Sequence, residues 1–240
     1  MEIFFRAETW MALLSLTALE IVLGIDNILF ISILTAKLSD AKQQSKARKQ
    51  GLAYALIVRL LFLLLIGYII HSTEPLFHWG PLHMSLKDLI LLFGGLFLLY
   101  KSTKEIHEKV SGETAEKEVK IKKMNFAGII IQIILLDIVF SFDSILTAIG
   151  LTGHIPVMAM AIIISMIIMI IFIDTVGNFI LKHPTLQVLG LSFLILIGTL
   201  LIAEAFHYEI PKGYIYFAFF YSFVIELVNM RVRSKSIENE

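Results

Sequence analysis

The chain reads as an all-α, polytopic membrane protein: about seven transmembrane helices, built as an inverted three-plus-three helix repeat with one extra C-terminal helix. Three observations predict this. The 240 residues are 58% hydrophobic with a mean hydropathy of +0.84, and the apolar residues come in long runs, a composition that belongs in a bilayer rather than in a soluble domain. Basic residues fall almost entirely in alternate loops. Two short acidic motifs repeat one another three spans apart.

The apolar runs place spans at roughly 10–36, 51–71, 86–102, 124–150, 156–181, 185–206 and 213–230. Each is long enough, or nearly so, to cross about 30 Å as a helix. Helix is the expected state because an open sheet in lipid leaves its edge groups unpaired. The first run is too long for a cleavable signal peptide, and no small-residue cleavage site follows it. The whole chain, 1–240, is expected to form a single membrane domain. Its first repeat covers about 10–102, a cytoplasmic linker about 103–123, the second repeat about 124–206, and a seventh helix about 213–230. The linker alternates Glu and Lys, as a short solvated helix or a disordered segment does.

Charge sets the expected orientation. The first, third and fifth loops and the tail together hold sixteen Lys and Arg, Arg48 and Lys49 among them, while the opposite side holds Arg6, Lys87 and Lys212. By the positive-inside rule the N-terminus is outside and the C-terminus cytoplasmic. Trp10, Trp79 and Tyr208 fall near expected interfaces, where aromatic anchors belong. The net charge is zero, which argues against a nucleic-acid partner. No Cys is present, so thiolate chemistry is excluded.

The repeated motifs are Leu19-Glu20-Ile21-Val22-Leu23-Gly24-Ile25-Asp26-Asn27-Ile28-Leu29 and Leu136-Asp137-Ile138-Val139-Phe140-Ser141-Phe142-Asp143-Ser144-Ile145-Leu146. They sit in the first and fourth spans. An odd offset makes the second copy cross in the opposite sense, an arrangement that places substrate sites near the midplane between the copies. Ionised side chains at bilayer depth cost about 2.5–3.5 kcal/mol each even on a lenient scale. Four of them are tolerated most simply if they surround a cation. Helix glue made of protonated or hydrogen-bonded acids is the competing reading.

Within each copy the two acids are six residues apart, so on an unbroken helix they point about 120° away from each other. A site shared by Glu20 and Asp26, or by Asp137 and Asp143, therefore requires an interruption, which Gly24 and Ser141 would permit. Asn27 and Ser144 can then ligate or cap the unwound turn. Carboxylate, amide, hydroxyl and carbonyl oxygens are hard ligands that suit Mg, Ca or Mn. Met158, Met160, Met166 and Met169 crowd the fifth span and read as packing. Arg59, inside the second span, either pairs with an acid when metal is absent or snorkels toward the cytoplasm. Asp174 and Asn178 share a helix face and are candidates for the ion path. His71, Glu74, His78 and His83 gather in the outer second loop, more simply as ordinary loop residues than as a weak external metal site.

Glu20 to Ile28 and Asp137 to Ile145 resemble the signature motifs of the TerC family of integral membrane proteins, and the similarity runs from about Trp10 to Met230. The resemblance implies manganese export, and in some members metal supply to secreted enzymes. It makes Glu20, Asp26, Asp137 and Asp143 metal ligands. The expected protein is thus a secondary transporter exporting a divalent cation, Mn(II) first, across the cytoplasmic membrane, with the metal as substrate and no cofactor. Ca(II), or another divalent ion, is the alternative cargo. A non-transporting metal-binding partner of a secretion complex is the alternative role, and secretion or metalation partners are open in either case. Catalysis is not expected. An intramembrane aspartyl protease pairs Tyr-Asp with Gly-x-Gly-Asp, and neither motif occurs. A Walker-type phosphate loop is also missing.

Overall fold

The structure, a computed structural model, describes residues 7–70, 77–79, 82–111, 125–152, 154–208 and 210–238. Seven helices occupy these residues: α1 (Ala7–Thr35), α2 (Ala41–Ile70), α3 (Leu86–Val110), α4 (Phe126–Thr152), α5 (Ile155–Lys182), α6 (Pro184–Ala205) and α7 (Lys212–Glu238). Each corresponds to one expected span. Helix α2 starts ten residues before its expected span and α7 ends eight after its own, and two further departures are visible. A small antiparallel hairpin, β1 (Phe77–Trp79) with β2 (Leu82–Met84), stands in the second loop of a chain expected to be wholly helical. Helix α3 also runs eight residues past the expected end of its span at 102, ending at Val110 with Ser111 as its cap.

Among the described residues, α1, α5, α6 and the Lys212–Arg233 part of α7 are long and apolar enough to cross a membrane, and α4 carries a shorter apolar stretch, Phe126–Ser141. The fold is that of a polytopic helical membrane protein. Local signals set several helix ends. Ser85 and Asp88 form a capping box at the start of α3, each side chain bonding the other's backbone N–H. Pro156 and Pro184 stand in the first turns of α5 and α6, where a missing N–H costs nothing.

The dominant packing pairs are α3 with α6, α1 with α5, and α2 with α4. Lipid supplies no hydrophobic drive between helices, so close approach and van der Waals contact carry the association. Gly95 on α3 and Gly198 on α6 show this most directly. A Cβ at either would lie 2.6 Å or 2.9 Å from the other's carbonyl oxygen, so only glycine lets the two backbones touch. Met158, Met166 and Met169 are buried in the core, as packing residues should be. Helix α7 is peripheral: Tyr216 and Phe219 meet Phe193 of α6, while Tyr214, Phe217 and Phe220 stay exposed.

Helix α1 is continuous from Ala7 to Thr35, and α4 from Phe126 to Thr152. The expected interruptions at Gly24 and Ser141 do not occur. Gly24 serves packing instead, because a Cβ there would lie 2.2 Å from the sulfur of Met169 on α5. The hydroxyl of Ser141 is engaged by side chains rather than freeing the backbone.

Candidate functional site: a buried carboxylate pair bridged by arginine

Because the helices are unbroken, the acids of one motif cannot converge by unwinding. The structure brings together the first acid of each copy. Glu20 of α1 and Asp137 of α4 face a single guanidinium, that of Arg59 on α2. Arg59 Nη1 lies 2.5 Å from Glu20 Oε2, and Nη2 lies 2.9 Å from Asp137 Oδ1. Arg59 Nε donates to Ser141 Oγ at 2.9 Å, and Ser141 Oγ in turn donates to Asp137 Oδ2 at 2.9 Å. The four residues are 1–4% exposed. Asp137 and Ser141 meet because they are four apart on one helix face.

Of the two alternatives for Arg59, pairing is the one observed, and with two acids rather than one. The guanidinium suits the task, since its rigid fork of five donors stays charged when buried. One acceptor is left over. Glu20 Oε1 is buried and has no hydrogen-bond partner among the described residues. A buried unpaired carboxylate oxygen is costly, so Glu20 Oε1 is an open acceptor in the cluster.

A cavity of about 30 Å³ adjoins the cluster, lined by Glu20, Asn27, Arg59, Ser144 and Tyr216 among others. That is room for an ion or one or two waters. Asn27 follows Glu20 by seven residues, nearly two full turns, so both look the same way along α1. Ser144 Oγ is only 3.3 Å from the Ser141 carbonyl, a weak bond that leaves it available. Of the residues picked from the motifs, Glu20, Asn27 and Ser144 line this cavity, while Asp137 joins them only through Arg59. Asp26 and Asp143 have helical backbones, but their side chains lie outside the described residues. Among the described residues no three His, Asp or Glu side chains form a ready metal-binding group. In this conformation the guanidinium occupies the space between the carboxylates.

Asp174 and Asn178 belong to a second polar cluster near the other end of α2. Arg48, 1% exposed, donates to Asn178 Oδ1 at 2.9 Å and to Thr35 Oγ1 at 3.1 Å, and it lies 3.6 Å from Asp174. Asp174 also meets Lys49 and Ser45, each at 2.7 Å. The positive-inside count treats Arg48 as an ordinary loop charge, whereas it is one of the most deeply buried side chains. Its spacing from Arg59 was the available signal. Eleven residues are three turns plus about 20°, so both guanidiniums share one face of α2. Gly177 makes room, since a Cβ there would press on Ser32 and Arg48.

Two further clusters escape the motif reading. Lys37, at the end of α1, bonds the buried Glu105 of α3 at 2.5 Å. On the opposite end of α3, His207 Nε2 lies 3.3 Å from the buried Asp88. His207 has φ of 64°, a left-handed conformation at the close of α6. Of the outer-loop histidines, His78 and His83 are cross-strand partners in the hairpin; their side chains, and all of His71 and Glu74, lie outside the described residues.

The family model described as the integral membrane protein TerC family matches residues 5–239. The chain is 48% identical over 228 residues, 95% of itself and 94% of the relative, to the UPF0053 inner membrane protein YgdQ of Escherichia coli (strain K12). It is 47% identical over 226 residues to a UPF0053 protein of Haemophilus influenzae, covering 94% and 95% of the two chains. It is 44% identical over its full 240 residues to the UPF0053 inner membrane protein YoaE of Escherichia coli (strain K12), of which it spans 46%. No solved structure matches. With a family model covering nearly its whole length, and the paired acidic motifs meeting at one buried point, the chain belongs to the TerC family of integral membrane proteins.

Proposed function

We propose that this protein is a secondary transporter that exports a divalent metal cation, Mn(II) first, across the inner membrane through the Glu20–Asp137 site. The observation that carries the reading is the unpaired Glu20 Oε1 beside a cavity that also presents Asn27 and Ser144. A carboxylate oxygen left unpaired at bilayer depth is a standing cost, even with its twin bonded to Arg59. A hard divalent cation relieves it with oxygen ligands alone. Asp26 and Asp143 complete the set, on the family resemblance.

The inverted repeat belongs to this reading. Exchanging the halves maps α1 onto α4, α2 onto α5 and α3 onto α6. The α1–α5 pair then becomes the α4–α2 pair, while α3–α6 maps onto itself, and these are the dominant contacts. A site between α1 and α4 lies on the axis of such an exchange, where transporters of this architecture bind substrate. The N-terminus is outside and the C-terminus cytoplasmic on the basic-residue bias.

The test is flux in proteoliposomes containing only this protein, across a panel of divalent ions. Mn(II) should move, and Asp26→Asn and Asp143→Asn should each abolish movement while leaving folded protein. Asn keeps the volume and one carbonyl oxygen but removes a negative charge from the set that would compensate a divalent ion. Near-normal flux in either variant would return these acids to a structural role. Preference for Ca(II) would change the cargo, and metal binding without flux would favour a metal-binding partner protein.

A further inference from the structure

Three charged groups meet in the buried cluster, two carboxylates and one guanidinium. When all are ionised they sum to one negative charge. Three helices supply them: α1 gives Glu20, α2 gives Arg59 and α4 gives Asp137. Arg59 also lines the cavity in which Glu20, Asn27 and Ser144 stand. Arg59 therefore holds Glu20 at the cavity from which an ion would approach, and ties Asp137 to it.

A divalent ion held by both carboxylates needs oxygens within about 2.0–2.6 Å. Glu20 Oε2 and Asp137 Oδ1 now face Nη1 and Nη2 at 2.5 Å and 2.9 Å. An ion on these same oxygens would stand within a few ångströms of the guanidinium's positive charge. At such distances the two would repel strongly in a buried site. An arginine does not lose its proton in a protein. It can leave the carboxylates only by moving, never by becoming neutral.

We propose that Arg59 is a tethered counter-cation: it occupies the Glu20–Asp137 carboxylates whenever the metal ion is absent and gives way when the ion enters. This rests on the divalent-ion reading above and adds how the empty site is managed. An exchanger must fill its site with a second cation from the far side before its carboxylates can return through the membrane core. Here the chain carries that cation itself. The ion-free protein keeps one of the two carboxylate charges neutralised and both carboxylates hydrogen-bonded, so it returns without a counter-transported ion. Net export into metal-free medium follows as a property of the site. Glu20 Oε1, the acceptor that Arg59 leaves unpaired, is the first oxygen an arriving ion meets.

The experiment uses the full chain in proteoliposomes loaded with radioactive Mn(II), with membrane potential clamped. Two rates are compared: net efflux into metal-free medium, and exchange against external Mn(II). For the wild type the two should be equal, and net efflux should not change with external proton or sodium concentration. Arg59→Gln should retain exchange but lose net efflux by about 100-fold, the penalty of returning an uncompensated buried charge. Arg59→Lys, which keeps the charge, should restore much of the net efflux.

A wild type that moves Mn(II) only against an external cation overturns the proposal. So does a folded Arg59→Gln that loses exchange and net efflux equally, since that marks Arg59 as purely structural. If Arg59→Gln does not fold, the wild-type comparison still decides. A wild type with neither flux nor exchange refutes the transport reading itself, a result distinct from either of these.

Discussion

Replacing Ser141 with Ala removes one oxygen from the centre of the buried cluster. That oxygen accepts from Arg59 Nε and donates to Asp137 Oδ2, both at 2.9 Å. Its loss leaves a guanidinium N–H and a carboxylate oxygen unsatisfied in groups 2% and 4% exposed. In soluble proteins hydrogen bonds to charged groups contribute about 1.5–3 kcal/mol each, which would total about 3–6. Inside membrane proteins side-chain contacts between helices average about 0.6 kcal/mol and reach about 1.7, because the unfolded chain in detergent also finds partners. The lower scale applies here, and the expected loss is about 2 kcal/mol.

Ser165→Ala is the control. Ser165 is equally buried, but its hydroxyl donates only to the Ile162 carbonyl of its own helix, and that carbonyl can still pair with a backbone N–H after the change. The shift should stay within about 0.5 kcal/mol. SDS-driven unfolding in mixed micelles, followed by tryptophan fluorescence, measures both. Equal shifts for the two variants would show that Ser141 does not join Arg59 to Asp137.

Gly95→Leu and Gly198→Leu should each abolish monodisperse protein in detergent, measured by size-exclusion chromatography. Backbone lies where the new Cβ would go, and it cannot move aside as a side chain can, so the cost exceeds the usual 1–3 kcal/mol of overpacking, roughly; a well-folded leucine variant would contradict the α3–α6 crossing. Orientation is checked with single cysteines at the two ends of α3, since the native chain has none. A membrane-impermeant maleimide applied outside should label Lys87→Cys and spare Ser111→Cys, and the opposite pattern would invert the topology.

How far the sequence alone reached differs from element to element. Seven helices were legible because a hydrocarbon slab demands apolar runs of fixed length and satisfied backbones, and both requirements are written locally. The motif acids were legible for the same reason, since charge inside such a run is conspicuous. Pairing was not. Six-residue spacing suggested that Glu20 and Asp26 must converge through a helix break at Gly24. Only the assembled bundle shows that Met169 fills the space at Gly24 and that α1 continues unbroken.

The partner of Glu20 is Asp137, 117 positions away, and the bridge is Arg59 from a third helix. Spacing along one chain carries no signal for such a meeting. Arg48 makes the same point: its local context, among lysines at the start of α2, reads as a loop charge. Its burial depends on Asp174 and Asn178 arriving from α5, and on Gly177 leaving room. Hydropathy and charge along the chain determine which segments enter the membrane. Which charges then neutralise one another is decided by helix rotation and crossing, a property of the packed bundle, because a buried charge is compensated by whatever lies within a few ångströms in space.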